Sequence, residues 1–142
     1  MLKANLIKKK ICPINLRLIN KVIEVFEKQT QKIKKEVEII IIGDKEMTEL
    51  NRFYRGKNKT TDVLSFAFNE DKKIQSQFLG QIFISYSQIK KQAREYSINE
   101  KEEFIRMLVH GLLHLVGFDH DTKLKEDKMF VLQEKIVTKV AL

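Results

Sequence analysis

Two kinds of hydrophobic spacing organise this chain. Leu18, Ile19, Val22, Ile23 and Phe26 recur every three or four positions, the repeat of a helix with one apolar face, and predict a helix over Ile14–Gln29. Val37-Glu-Ile-Ile-Ile-Ile42 is β-branched almost throughout and stops at Gly43-Asp44, so it reads as a buried strand. Shorter strands are expected at Ala4–Lys9, at Asp62–Phe68 and at Gly80–Ser85, where Ile82 and Ile84 alternate with Phe83. Polar Asn69–Gln77 reads as a solvated loop. Further helices are expected over Lys45–Tyr54 with Asp44 as cap, over Ser87–Tyr96, and over Lys123–Val140, which buries Met129, Leu132, Ile136 and Val140.

One more helix carries the stripe Phe104, Ile105, Leu108, Val109, Leu112, Leu115 and Val116. Asn99 is its candidate cap, with Glu102 three residues on as in a capping box. His110 and His114 lie off that stripe, beside Met107 and in line with Glu103, so a core face and a histidine face are separate. Gly117 ends or turns the helix in the left-handed geometry glycine tolerates, and that turn can bring His120 back towards the first two rings. Helices on either side of a small mixed sheet give an α+β (α/β-like) fold with about five helices and a three-histidine site at a helix end. No repeat or glycine-rich linker breaks the chain, so residues 1–142 are expected to form one domain. The pattern does not set the strand order.

Charge changes the picture modestly. Lys and Arg number 27 against 19 Asp and Glu, a net charge of +8, which fits a polyanionic partner such as RNA, DNA or an acidic membrane surface. Solubility alone accounts for such an excess in many proteins. The single cysteine, Cys12, forms no internal disulfide, which favours a reducing compartment. The first ten residues lack the apolar core of a secretion signal, and no apolar run approaches a membrane span, so a cytoplasmic protein is expected.

All three histidines fall within the eleven residues His110–His120. His110 and His114 are one helical turn apart, a rise of about 6 Å that two imidazoles can close onto one ion. Three imidazoles without a thiolate suit zinc with a fourth position open, although imidazole serves several divalent metals. Core packing would explain one such histidine more easily than three. The spacing matches the zincin pattern H-E-x-x-H-x-x-G-x-x-H except at Gly111, where that pattern has its general base. Glu103 is roughly 10 Å from His110 along the helix, too far to replace it directly. An ordinary metalloprotease is disfavoured.

The second informative stretch, Leu50–Phe66, gathers Arg52, Arg55, Lys57 and Lys59. Guanidinium groups match phosphate oxygens, and lysines add less directional charge. Brought over the histidines, this stretch would join a metal site to a phosphate clamp, a pair suited to phosphodiester cleavage. Otherwise it is a solvated basic turn.

These two stretches together resemble the YbeY family of bacterial zinc-dependent endoribonucleases. The family signature H-G-x-L-H-L-x-G-[YF]-D-H is met by HGLLHLVGFDH at His110–His120. The family's Asn-x-x-[YF]-Arg-x-Lys and Thr-Asp-Val-Leu-Ser-Phe correspond to Asn51–Lys57 and Thr61–Phe66, and Leu79-Gly80-Gln81-Ile82 stands where Leu-Gly-Asp-Ile is usual. The resemblance implies one zinc per chain on His110, His114 and His120, with Arg55 as the functional arginine. It also implies single-strand-specific RNA cleavage at the three-prime end of small-subunit ribosomal RNA, and a part in ribosome quality control. The expected partners are ribosomal RNA and the ribosome or small-subunit assembly proteins, with no membrane. Arg52, Lys57 and Lys59 are weaker candidates for holding RNA, and Asp119 for orienting a ligand. The departures are Gln81, which removes a possible acidic charge behind the ligands, and Thr60 and Ala67 in place of prolines. Ser65 and Thr61 are expected to bond to backbone. The same residues also fit a peptidase-like zinc hydrolase with a displaced base, or a non-catalytic ribosome-associated zinc module.

Overall fold

The computed structural model describes residues 1–68 and 77–141, so the loop expected at Asn69–Gln77 lies, apart from Gln77, outside the described residues. One sheet contains β1 (Lys3–Lys8), β2 (Glu36–Ile42), β3 (Val63–Ala67) and β4 (Phe78–Ser85), in the order β1-β2-β4-β3. β1, β2 and β4 are parallel, and β3 runs antiparallel to β4 at the edge. The helices are α1 (Leu16–Gln29), α2 (Asp44–Arg55), α3 (Tyr86–Glu95), α4 (Glu100–Leu115) and α5 (Lys123–Ala141). The expected α+β class holds, with each expected element within about two residues of its place.

The unbroken β-branched run of β2 follows from burial on both faces. Val37, Ile39 and Ile41 join Ile82 and Ile84 of β4 in a core covered by α1, α4 and α5, while Ile40 and Ile42 pack with Met47 of α2 and Leu64 of β3. Gly80 makes the β3–β4 contact close. A Cβ there would collide with the Phe66 carbonyl oxygen and lie 2.8 Å from Leu115 Cδ2, so only glycine lets the end of α4 rest on this edge.

Helix starts differ from expectation in instructive ways. The side-chain oxygen of Asn15 accepts from Leu18 N at 3.0 Å, so α1 begins at Leu16 and leaves Ile14 as a buried anchor before it. Gly43, not Asp44, is the cap residue of α2. Asp44 Oδ1 instead accepts from Ser85 Oγ (2.8 Å), Gln88 Nε2 (3.1 Å) and Thr60 Oγ1 (3.3 Å), tying α2 to α3 and to the loop before β3. Burial opposes the Asp44 charge, but hydrogen bonds from Ser85, Ser87, Gln88 and Thr60 outweigh it and hold the carboxyl below its ordinary range. Asn99 does cap α4, accepting from Lys101 N at 2.8 Å and Glu102 N at 3.4 Å. Glu102 completes no box; its carboxylate turns to Arg106 at 3.4 Å. Among the described residues, no helix is long and apolar enough to cross a membrane.

Candidate functional site

α4 crosses the β3–β4 edge with almost no gap at Gly111. A Cβ there would stand 3.0 Å from both Ile82 Cγ2 and Ser65 Oγ. Lack of room thus accounts for the missing glutamate: a side chain at this position points into the sheet, not into open space. Gly111→Glu is expected to lower stability by about 1–3 kcal/mol through overpacking and to confer no peptidase activity. Urea unfolding and turnover of an unstructured peptide would check this; a stable, proteolytic variant would refute the steric account.

One turn apart on α4, His110 and His114 face each other with ring centroids 4.6 Å apart and Nε2 atoms 3.1 Å apart. The His110 ring is held from behind. Gln133 of α5, only 6% exposed, places its Oε1 2.8 Å from His110 Nδ1. Gln133 Nε2 donates to Glu134 Oε2 at 3.3 Å, so the amide oxygen is the end that meets the imidazole, and Nδ1 carries the proton. The Phe118 backbone just past the helix lies beside the His114 ring and favours its protonated form, against the stronger pull of burial. With its Nδ1 proton held by Gln133, His110 turns an Nε2 lone pair towards His114 Nε2, a pair of nitrogens that a shared cation would bridge. Burial first, then the positive fields of His110 and His120, pull the His114 pKa below its ordinary value and keep the ring neutral, as a metal ligand must be.

His120 is placed by the turn at Gly117, whose φ of 101° is left-handed. Its ring is 5.1 Å from that of His114 and 6.3 Å from that of His110, and its side chain is 54% exposed. Asp119 shapes the turn: its Oδ1 accepts from His120 N at 2.7 Å and lies 3.6 Å from His120 Nδ1. As they stand, no three His, Cys, Asp or Glu groups among the described residues form a set that could hold a metal ion. The inner pair is formed; the third ring stands beside it.

The histidines open onto a cleft of about 560 Å³ that Tyr54, Arg55, Ser65 and Phe66 also line. Arg55 reaches it from the last turn of α2, so the fold brings the expected arginine to the histidines. Arg52 does not join it; it lines a separate groove with Glu46, Glu49 and Phe53. Lys57 and Lys59 are exposed beyond the helix, on a loop pinned by the buried Asn51, whose Nδ2 donates to the Lys59 carbonyl at 2.8 Å.

Three expectations need correction. Gln81 points to the sheet face away from α4 and donates to Glu38 Oε1 at 3.0 Å, so the residue here does not adjoin the histidines. Thr61 Oγ1 donates to the Asp62 carboxylate at 3.1 Å, not to backbone. On α5, Leu132 is half-buried and Gln133 occupies the buried stripe with Met129, Ile136 and Val137. A glutamine at that spacing was the legible signal for a partner inside the protein.

Fold and cleft together define a small α+β protein with imidazole nitrogens and a guanidinium converging on one open site. The chain belongs to the YbeY family: the family model described as Endoribonuclease YbeY matches residues 5–141. It is 42% identical over 126 residues to the Endoribonuclease YbeY of Leptospira interrogans, covering 78% of this chain and 89% of that protein. The Brevibacillus brevis protein of the same name is 35% identical over 157 residues, covering 100% of this chain and 99% of the relative. The solution structure of TM1509 from Thermotoga maritima superposes with a TM-score of 0.68 at 28% identity, covering 99% of this chain and 89% of that one.

Proposed function

We propose that this chain is a zinc-dependent endoribonuclease that cuts single-stranded RNA during ribosomal RNA processing, at the three-prime end of the small-subunit RNA, and acts in the cytoplasm. The observation that carries the reading is the meeting of Arg55 with the facing Nε2 atoms of His110 and His114 in one cleft. Membership of a family named for endoribonuclease activity supports the substrate class.

The donor set fits zinc, with His110, His114 and His120 as the residues that would hold it. Zinc supplies Lewis acidity at a phosphate oxygen and lowers the pKa of water. The protein's own part is positional and electrostatic. Gln133 fixes the His110 imidazole in the tautomer that leaves its Nε2 free. Arg55 offers two parallel N–H donors to the non-bridging oxygens of the scissile phosphate, where negative charge grows as the bond breaks. The exposed Lys57 and Lys59, with Arg52 and the +8 net charge, hold the RNA backbone with little regard to sequence, and hold it less well as salt rises. Asp119 keeps the His120 turn in shape.

Arg55→Ala separates a clamp from a structural residue. Cleavage is expected to fall by about 10²–10³, as when one charge-stabilising donor is removed, with zinc content unchanged. Metal analysis beside a single-stranded RNA cleavage assay measures both. Parallel loss of zinc would make Arg55 structural and sink the clamp.

A further inference from the structure

Beside Arg55 the cleft has a second kind of wall. Tyr54 is 58% exposed, although its ring is held by Phe66 at a centroid distance of 4.8 Å, and Phe66 in turn packs on Phe83 at 5.8 Å. Tyr54 and Phe66 line the same cleft as Arg55 and the three histidines. We propose that Tyr54, backed by Phe66, is the seat on which an unpaired RNA base stacks next to the phosphate held by Arg55. The inference rests on the nuclease reading and extends it to how the site selects its substrate.

Several observations favour a base as the occupant. An aromatic ring fixed by a neighbour loses little freedom on stacking, and stacking suits every base because each has a π-face. Tyr54 and Arg55 are consecutive on the last turn of α2 and line one cleft, so a ring for a base adjoins a fork for its phosphate. The neighbouring Phe53 is 80% exposed, but it sits in the groove with Arg52, Glu46 and Glu49, which Tyr54 also borders, and is not among the residues lining the histidine cleft. Position therefore favours Tyr54 over Phe53. A base in a duplex is already stacked and paired, so it reaches Tyr54 only at an energetic cost, whereas a splayed base of a single strand is free to do so. Tyr54 would thus act as a selector of single strands, not as a catalytic residue.

The chain contains no tryptophan, so Tyr54→Trp introduces a sole tryptophan at the seat, excitable selectively over the remaining tyrosines. The probe is a single-stranded 2′-O-methyl RNA of roughly eight nucleotides, within the usual footprint of a single-strand site and checked by gel to be intact after the measurement. It is compared with the same chain lacking bases and with a duplex of the same sequence, and fluorescence anisotropy of labelled RNA reports binding independently. Stacking is expected to quench the tryptophan with the single strand and much less with the abasic chain or the duplex. Tyr54→Ala is expected to weaken single-strand binding and raise KM by about tenfold, with kcat little changed and zinc retained, while Tyr54→Phe restores both. RNA bound with no quenching, and with unchanged affinity in Tyr54→Ala, overturns the seat and leaves the nuclease reading standing; the exposed ring would then serve a protein partner. If wild type fails both to bind and to cut RNA, the nuclease reading itself falls and takes the seat with it.

Discussion

His114→Ala is expected to lose zinc and RNA cleavage together while keeping its fold. His114 stands between the other two rings, 4.6 Å from His110 and 5.1 Å from His120, so its removal breaks every close pair in the trio except the longest. The charge stabilisation a bound metal supplies is worth several kcal/mol, and each ~1.4 kcal/mol is a factor of ten in rate. Cleavage should therefore drop by at least about a hundredfold. Metal analysis and single-stranded RNA cleavage on wild type and variant, with circular dichroism as the check on folding, measure it. Near-stoichiometric zinc and cut RNA in the wild type alone would establish the metal-dependent nuclease. Zinc bound by wild type but RNA left intact would move the weight to a structural site, or to an activity that needs the ribosome around it. A variant that cuts at the wild-type rate would end the three-histidine account.

Arg106→Ala is expected to cost about 3–5 kcal/mol of stability at neutral pH, the usual penalty for leaving a buried carboxylate without its partner. Arg106 binds Glu134 through two nitrogens, at 2.9 Å each, and Glu103 at 3.1 Å. Glu103 is only 2% exposed. Burial raises its pKa against the pull of Arg106, whereas the Arg106 hydrogen bonds hold Glu134 below its ordinary range. The sign of the pH dependence follows. Without Arg106 both carboxyls have higher folded-state pKa values, so the folded variant binds more protons than its unfolded chain above about pH 4.5, and its stability falls as pH rises. The difference from wild type is thus largest near pH 7 and shrinks as the solution is acidified towards the carboxylate range. Urea unfolding of both proteins across that range tests it; a pH-independent difference would mean that lost packing, not charge, is responsible. The site feels this network directly, because Glu134 accepts from the Gln133 amide that orients His110.

Local periodicity was enough to place the elements, since a helix or strand buries one face with a repeat written in consecutive residues. The apolar stripe of α4 and the two-sided burial of β2 were legible for that reason. So was the pairing of His110 with His114, because four residues on a helix fix two rings on one face whatever surrounds them. Gly117 marked the turn that sets His120 beside them. The basic stretch ending α2 was visible as chemistry, but not as geometry.

Tertiary structure decided the rest. It inserted β4 between β2 and β3 and reversed β3 at the edge, which sets Arg55 across the cleft from α4 while leaving Arg52 in another groove. It brought Gln133 from α5, 23 residues away, behind His110, and turned Gln81 to the far face of the sheet. It closed the space at Gly111 against Ile82 and Ser65, so that the absence of the zincin glutamate became a matter of room. Each of these depends on which surfaces meet. A repeat along the chain fixes the direction of a side chain relative to its own helix or strand, but the group it meets is chosen only when separate apolar faces pack together.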